Sequence, residues 1–97
     1  MPRYVIERDI PDIGSADREA MRDASKKSNS VLAAMHAENK NIQWEHSYVV
    51  ADKIYCVYIA DDERLVNEHA QRSGFPANKV SAVKRTIDPV TAEDSGK

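Results

Sequence analysis

The chain has 97 residues, enough for one hydrophobic core and too few for two. Apolar residues make up 41% and charged residues 31%, a balance that suits a globular protein and not a disordered one. Lys+Arg 14 against Asp+Glu 16 leaves a formal charge of -2, too even for a surface that grips a phosphate backbone, and this argues against nucleic acid as a partner.

The one cysteine, Cys56, cannot make an internal disulfide. Met1-Pro2-Arg3-Tyr4 runs straight into β-forming residues without an apolar leader. No apolar run approaches the roughly 20 residues that a membrane-spanning helix needs. The expectation is a soluble cytoplasmic protein with no membrane partner.

Arg3 to Arg8 is rich in β-formers and is closed by turn chemistry at Pro11 and Gly14, which predicts the first strand. Ser15 can cap the following helix, with Asp17 and Glu19 in the first turn where the helix dipole favours negative charge. Ala20, Met21, Ala24, Ser28, Val31, Leu32 and Met35 recur at helical spacing and predict a helix over 16–38. Such a helix outruns a strand of ordinary length, so one of its ends is expected to project beyond the sheet or to fray.

After the polar Glu38-Asn39-Lys40-Asn41 come two β-rich runs, Ile42 to Ala51 and Ile54 to Ala60, read as a hairpin about Asp52-Lys53. That loop would pair Ala51 with Ile54, Val49 with Cys56, Tyr48 with Val57 and Ser47 with Tyr58. Asp61 can cap a second helix whose inner stripe is Leu65, Val66, His69, Ala70 and Ser73, with Gly74 as its stop. Val80 to Ile87 predicts a last strand. Residues 1–89 then form the domain, and 90–97 read as a flexible tail.

The order strand, helix, strand, strand, helix, strand is that of the ferredoxin-like α+β sandwich, a four-stranded antiparallel sheet with two helices on one face. The other face stays bare, and apolar residues there call for a partner, a ligand or a second copy, so a homodimer is expected. By apolar content, Trp44, His46, Tyr48, Val50, Tyr55, Val57 and Ile59 are assigned to the helix side together with Tyr4 and Ile6. Arg3, Val5, Glu7, Glu45, Ser47, Cys56 and Tyr58 are left on the open side. A slip of one residue would exchange the two sets.

Tyr4-Val5-Ile6-Glu7-Arg8, Trp44-Glu45-His46-Ser47-Tyr48-Val49, Asp52-Lys53-Ile54-Tyr55-Cys56-Val57-Tyr58, Glu68-His69-Ala70, Gly74-Phe75-Pro76 and Ile87-Asp88-Pro89 together carry a resemblance over residues 3–89. The chain resembles the small bacterial nickel-binding, nickel-responsive ferredoxin-like domains once grouped as a domain of unknown function. The resemblance implies a dimer and, for at least part of the family, the binding of nickel, with sequestration as one use. It does not imply catalysis.

The candidate metal ligands are His46, His69, His36, Glu45 and Cys56, because imidazole, thiolate and carboxylate suit divalent transition ions. No His-x-His, Cys-x-x-Cys or short His spacing occurs, so a site has to be assembled from separate elements or across a dimer. Each residue also has a plainer reading. His69 can be a core histidine held by a backbone or tyrosine partner, Cys56 a small apolar strand residue, and His36 and His46 exposed surface histidines. A reactive Cys56 would need a nearby positive charge, for which Arg3 is a candidate. A different class of function is a small-molecule pocket within the sandwich, as in dimeric ferredoxin-like enzymes that need no cofactor, with Cys56, His69, Tyr58 and Glu7 as its polar groups. An interaction module without chemistry is the third alternative. The run Lys53 to Tyr58 lacks the glycine and companion aromatics of an RNA-binding strand, and Gly14, Gly74 and Gly96 do not form a phosphate loop.

Overall fold

The computed structural model describes residues 1–93. Strands β1 (Arg3–Asp9), β2 (Ile42–Val49), β3 (Lys53–Ala60) and β4 (Lys79–Ala82) form one antiparallel sheet in the order β2-β3-β1-β4. Helix α1 (Arg18–Ala37) connects β1 to β2, and α2 (Glu63–Ser73) connects β3 to β4. This is the ferredoxin-like order expected from the sequence. The last strand is shorter than the predicted Val80 to Ile87, and Pro89–Glu93 forms a 3-10 turn. Of the predicted tail, residues 94–97 lie outside the described residues.

The core takes Tyr4 and Ile6 from β1, Ile42 from β2, and Cys56, Tyr58 and Ala60 from β3. Leu32, Met35 and Val66 close it from the helices. Ile6, Met35, Ile42 and Val66 are fully buried, and each side chain of this kind contributes roughly 1.5–3 kcal/mol by leaving water. All five residues of the predicted α2 stripe face this layer, although Leu65 is only half-buried.

The expected assignment of sheet faces is reversed for β3. Ile6 pairs with Cys56 and Tyr4 with Tyr58, and directly opposed residues share a face. Once Tyr4 and Ile6 turn inward, Cys56 and Tyr58 must follow, and Tyr55, Val57 and Ile59 turn outward with Val5. A count of apolar residues favoured the opposite choice because the outward set is rich in β-branched residues.

The hairpin register also differs. Val49 pairs with Ile54, Tyr48 with Tyr55 and Ser47 with Cys56, and the Val50 amide donates to the Lys53 carbonyl at 3.0 Å, so Ala51-Asp52 is the loop. This slip moves partners by two residues and preserves facing. What changes facing is a bulge between Trp44 and His46. It leaves Trp44 and Ser47 on the inner side, where the indole Nε1 donates to Ser47 Oγ at 2.9 Å, while His46 and Tyr48 turn outward.

The caps lie one or two residues beyond their predicted places. Asp17, not Ser15, accepts from the Ala20 amide at 2.8 Å, and Asp62, not Asp61, accepts from the amides of Arg64 and Leu65. Ser15 belongs instead to a 3-10 turn (Ile13–Ser15) between β1 and α1. That turn is pinned to the hairpin loop by the Gly14 amide, which donates to the Ala51 carbonyl at 2.9 Å. A Cβ on Gly14 would lie 2.8 Å from the Val50 carbonyl oxygen and 2.9 Å from Ala51 Cα, both backbone atoms with little room to give. Gly14→Ala is therefore expected to lower stability by about 1–3 kcal/mol, the usual cost of forced packing, as read from urea unfolding. An unchanged midpoint would show that the turn does not bear on the hairpin.

Candidate functional site

β1 carries Arg8 on the same side as Tyr4 and Ile6, so strand alternation drives a charged residue into the layer beneath the helices. Arg8 is only 2% exposed. Its Nε lies 3.3 Å from Cys56 Sγ, its Nη1 donates to the Pro76 carbonyl at 2.7 Å, and its Nη2 reaches the Tyr58 hydroxyl at 3.5 Å. The guanidinium also sits 5.6 Å from the centre of the Phe75 ring. Among the described residues no carboxylate pairs with it. Holding an ion out of water without a counter-charge costs on the order of several kcal/mol.

Arg8 is part of the wall of a cleft of about 880 Å³ beneath the N-terminal half of α1. The helix is 20 residues long, and Met21, Ala24 and Ser25 of its first half line the gap, with Ser28 just beyond them. Trp44, Ile54 and Phe75 contribute apolar wall, and the turn at Ile13-Gly14 borders the same space. The first half of this long helix forms a roof over the cavity. The polar groups reaching this cleft include Arg8, Cys56, Tyr58, Ser28 and Ser47.

His69 lies behind Tyr58, with ring centres 5.1 Å apart, and does not line the cleft. Its Nε2 is 3.2 Å from Ser28 Oγ and 3.4 Å from the Ser28 carbonyl. With the proton on Nε2, both oxygens can accept from it, and Nδ1 keeps a buried lone pair without a partner. Burial holds its pKa below the usual histidine value, the Ser28 carbonyl works in the opposite direction, and the charge of Arg8 adds to the lowering. The Tyr58 hydroxyl is pushed up, chiefly by burial, against the pull of Arg8. His69 and Cys56, expected on opposite faces, share the inner side. They are joined only indirectly, through Tyr58 and Arg8.

The remaining candidates lie elsewhere. The ring of His36 is tied by Nε2 to the Ile42 carbonyl at 2.6 Å, at the C-terminal end of α1. Glu45 and His46 are exposed on the open face of β2. Glu45 is bound by Arg3, which holds its carboxyl below the usual range, while the His46 ring meets Tyr48 edge-on at 5.0 Å. Arg3 is therefore not the cation beside Cys56; Arg8 is. Glu7 lies on the open face near Lys53 and does not reach the cleft. No group of three or more His, Cys, Asp or Glu side chains able to hold a metal gathers among the described residues. No helix among them is long and apolar enough to cross a membrane.

The model of a family described as "Nickel responsive protein SCO4226-like" matches residues 4–83. The chain belongs to this family. The fold is similar to that in the crystal structure of SCO4226 from Streptomyces coelicolor A3(2), with a TM-score of 0.71 at 15% identity over 88% of this chain and 99% of that one. At that identity the likeness establishes the shared fold. No curated protein sequence matches the chain.

Arg8 is the residue that motif reading passed over, because it belongs to no catalytic or chelating pattern. Its signal was parity alone, in step with Tyr4 and Ile6.

The depressed pKa of His69 has a checkable consequence. A histidine kept neutral in the fold binds fewer protons than it does unfolded, so its share of stability is intact above the ordinary value of 6.5 and is lost as pH falls below it. His69→Phe, which keeps a ring in the core, is expected to flatten the fall in unfolding free energy between about pH 7.5 and 5.5. A variant as pH-dependent as the parent would mean that the ring is not held neutral.

Proposed function

We propose that this chain is a cytoplasmic homodimer that binds a divalent transition metal, nickel first, on the open face of its sheet and holds the ion without catalysing a reaction. Membership in a nickel-responsive family, taken with the position of His46, carries this reading. Of the three histidines, His36 and His69 are committed to backbone and serine partners. The His46 ring is exposed and has no hydrogen bond among the described residues, and the neighbouring Glu45 carboxylate, held by Arg3, would have to exchange that partner for the metal.

One imidazole and one carboxylate are too few for a transition ion, which takes four to six ligands. The residues of a single chain therefore do not complete a site. A twofold interface presents the same patch from both subunits and doubles the donor set. The surface bearing these groups is suited to such a contact. Val5, Val57 and Ile59 form a half-buried apolar strip on it, and Tyr48 is 61% exposed at its edge. A free contiguous apolar patch favours association. The lone thiol of Cys56 is buried, in keeping with a reducing compartment.

The test is calorimetry with nickel on protein free of any polyhistidine tag, paired with sedimentation equilibrium. Binding tighter than about 1 mM is expected from a dimer, with His46→Ala weakening it at least about tenfold and His36→Ala leaving it unchanged. A monomer, a weaker affinity, or a His46→Ala protein that binds as the parent does would each refute the reading.

A further inference from the structure

The cleft under α1 is separate from the open face, and the metal reading makes no use of it. It combines two features that ordinarily exclude each other: walls that are mostly aliphatic and aromatic, and a full positive charge set into them. Arg8 is buried, yet its closest partners are a thiol, a backbone carbonyl and a tyrosine hydroxyl, none of which carries an opposing charge in its neutral form. Arginine has five N–H donors, and these contacts use three of them. One N–H on each terminal nitrogen is left over.

Asp9 also borders the cleft, but its carboxylate lies 3.5 Å from Lys53 Nζ and is not paired with Arg8. The volume, about 880 Å³, falls within the range of small-molecule sites. Ser28 and Ser47 add hydroxyls at the wall, and Trp44, whose indole donates to Ser47, lines it as well.

We propose that the cleft beneath α1 is a binding site for a small amphipathic carboxylic acid, whose carboxylate pairs with Arg8 while its hydrocarbon part lies among Met21, Trp44, Ile54 and Phe75. The ligand supplies the missing counter-charge and fills the apolar space under the helix. A neutral molecule of equal size gains only the second of these. A doubly charged phosphate would bring more charge than one guanidinium can balance in such walls.

Trp44 is the only tryptophan, so its emission reports the site directly. The probes are n-decanoate and n-decanol, titrated separately into nickel-free protein below their aggregation limits. Decanoate is expected to shift Trp44 emission saturably and to bind at least tenfold tighter than decanol. Arg8→Met is expected to erase that preference, and Ala24→Phe, which narrows the cleft and leaves Arg8 in place, to abolish decanoate binding.

Equal affinity for the two probes, no saturable response, a preference that survives Arg8→Met, or full binding by Ala24→Phe would each overturn the proposal. If Arg8→Met does not fold, the comparison of probes on the parent and on Ala24→Phe decides the matter alone. None of these results bears on nickel, which is read on the other face.

Discussion

The antiparallel pairing of β1 with β3 is the constraint on which everything else rests. It opposes Ile6 to Cys56 and Tyr4 to Tyr58, and the next step of the same alternation carries Arg8 inward. The same pairing sends Val5, Val57 and Ile59 to the far side. One register thus decides both the chemistry between the layers and the character of the bare surface, and a slip of a single residue would exchange them.

The inner face is unlike an ordinary core. Serine, histidine, tyrosine, arginine and cysteine run in series across it, from Ser28 through His69 and Tyr58 to Arg8 and Cys56. At the α2 end the layer is closed by Met35, Ile42 and Val66. Under the first half of α1 it opens, and the charge of Arg8 lies where the packing stops. Buried polar groups are tolerated when they are satisfied; among the described residues the buried side-chain atom left without a partner, His69 Nδ1, belongs to this row, as does Arg8, whose charge has no carboxylate beside it. The turn at Gly14, fastened to the hairpin loop, sets one border of the opening.

The fold was legible because its element order and helix stripes are patterns of type, visible without tertiary knowledge. Leu32 and Met35 on α1, and Val66, His69 and Ala70 on α2, lie inward as their spacing requires. The facing of β3 was not legible from composition, since Tyr55, Val57 and Ile59 are as good a core as Cys56, Tyr58 and Ala60 until the partner strand is known. The bulge at Glu45 is also invisible locally, as nothing in Trp44-Glu45-His46 marks the extra residue. The candidate ligands fell into three separate places for a related reason. Sequence proximity brought Glu45 and His46 together, but the gathering of Arg8, Cys56 and Tyr58 depends on long-range pairing.

The proposed metal site lies on the outer face, apart from the polar row inside. Anomalous diffraction from crystals of untagged protein soaked in nickel tests this division most directly. Peaks are expected beside His46 where two open sheet faces meet, and none within reach of Cys56 or His69. A nickel peak between the sheet and the helices, or open faces that meet no second copy, would contradict that division.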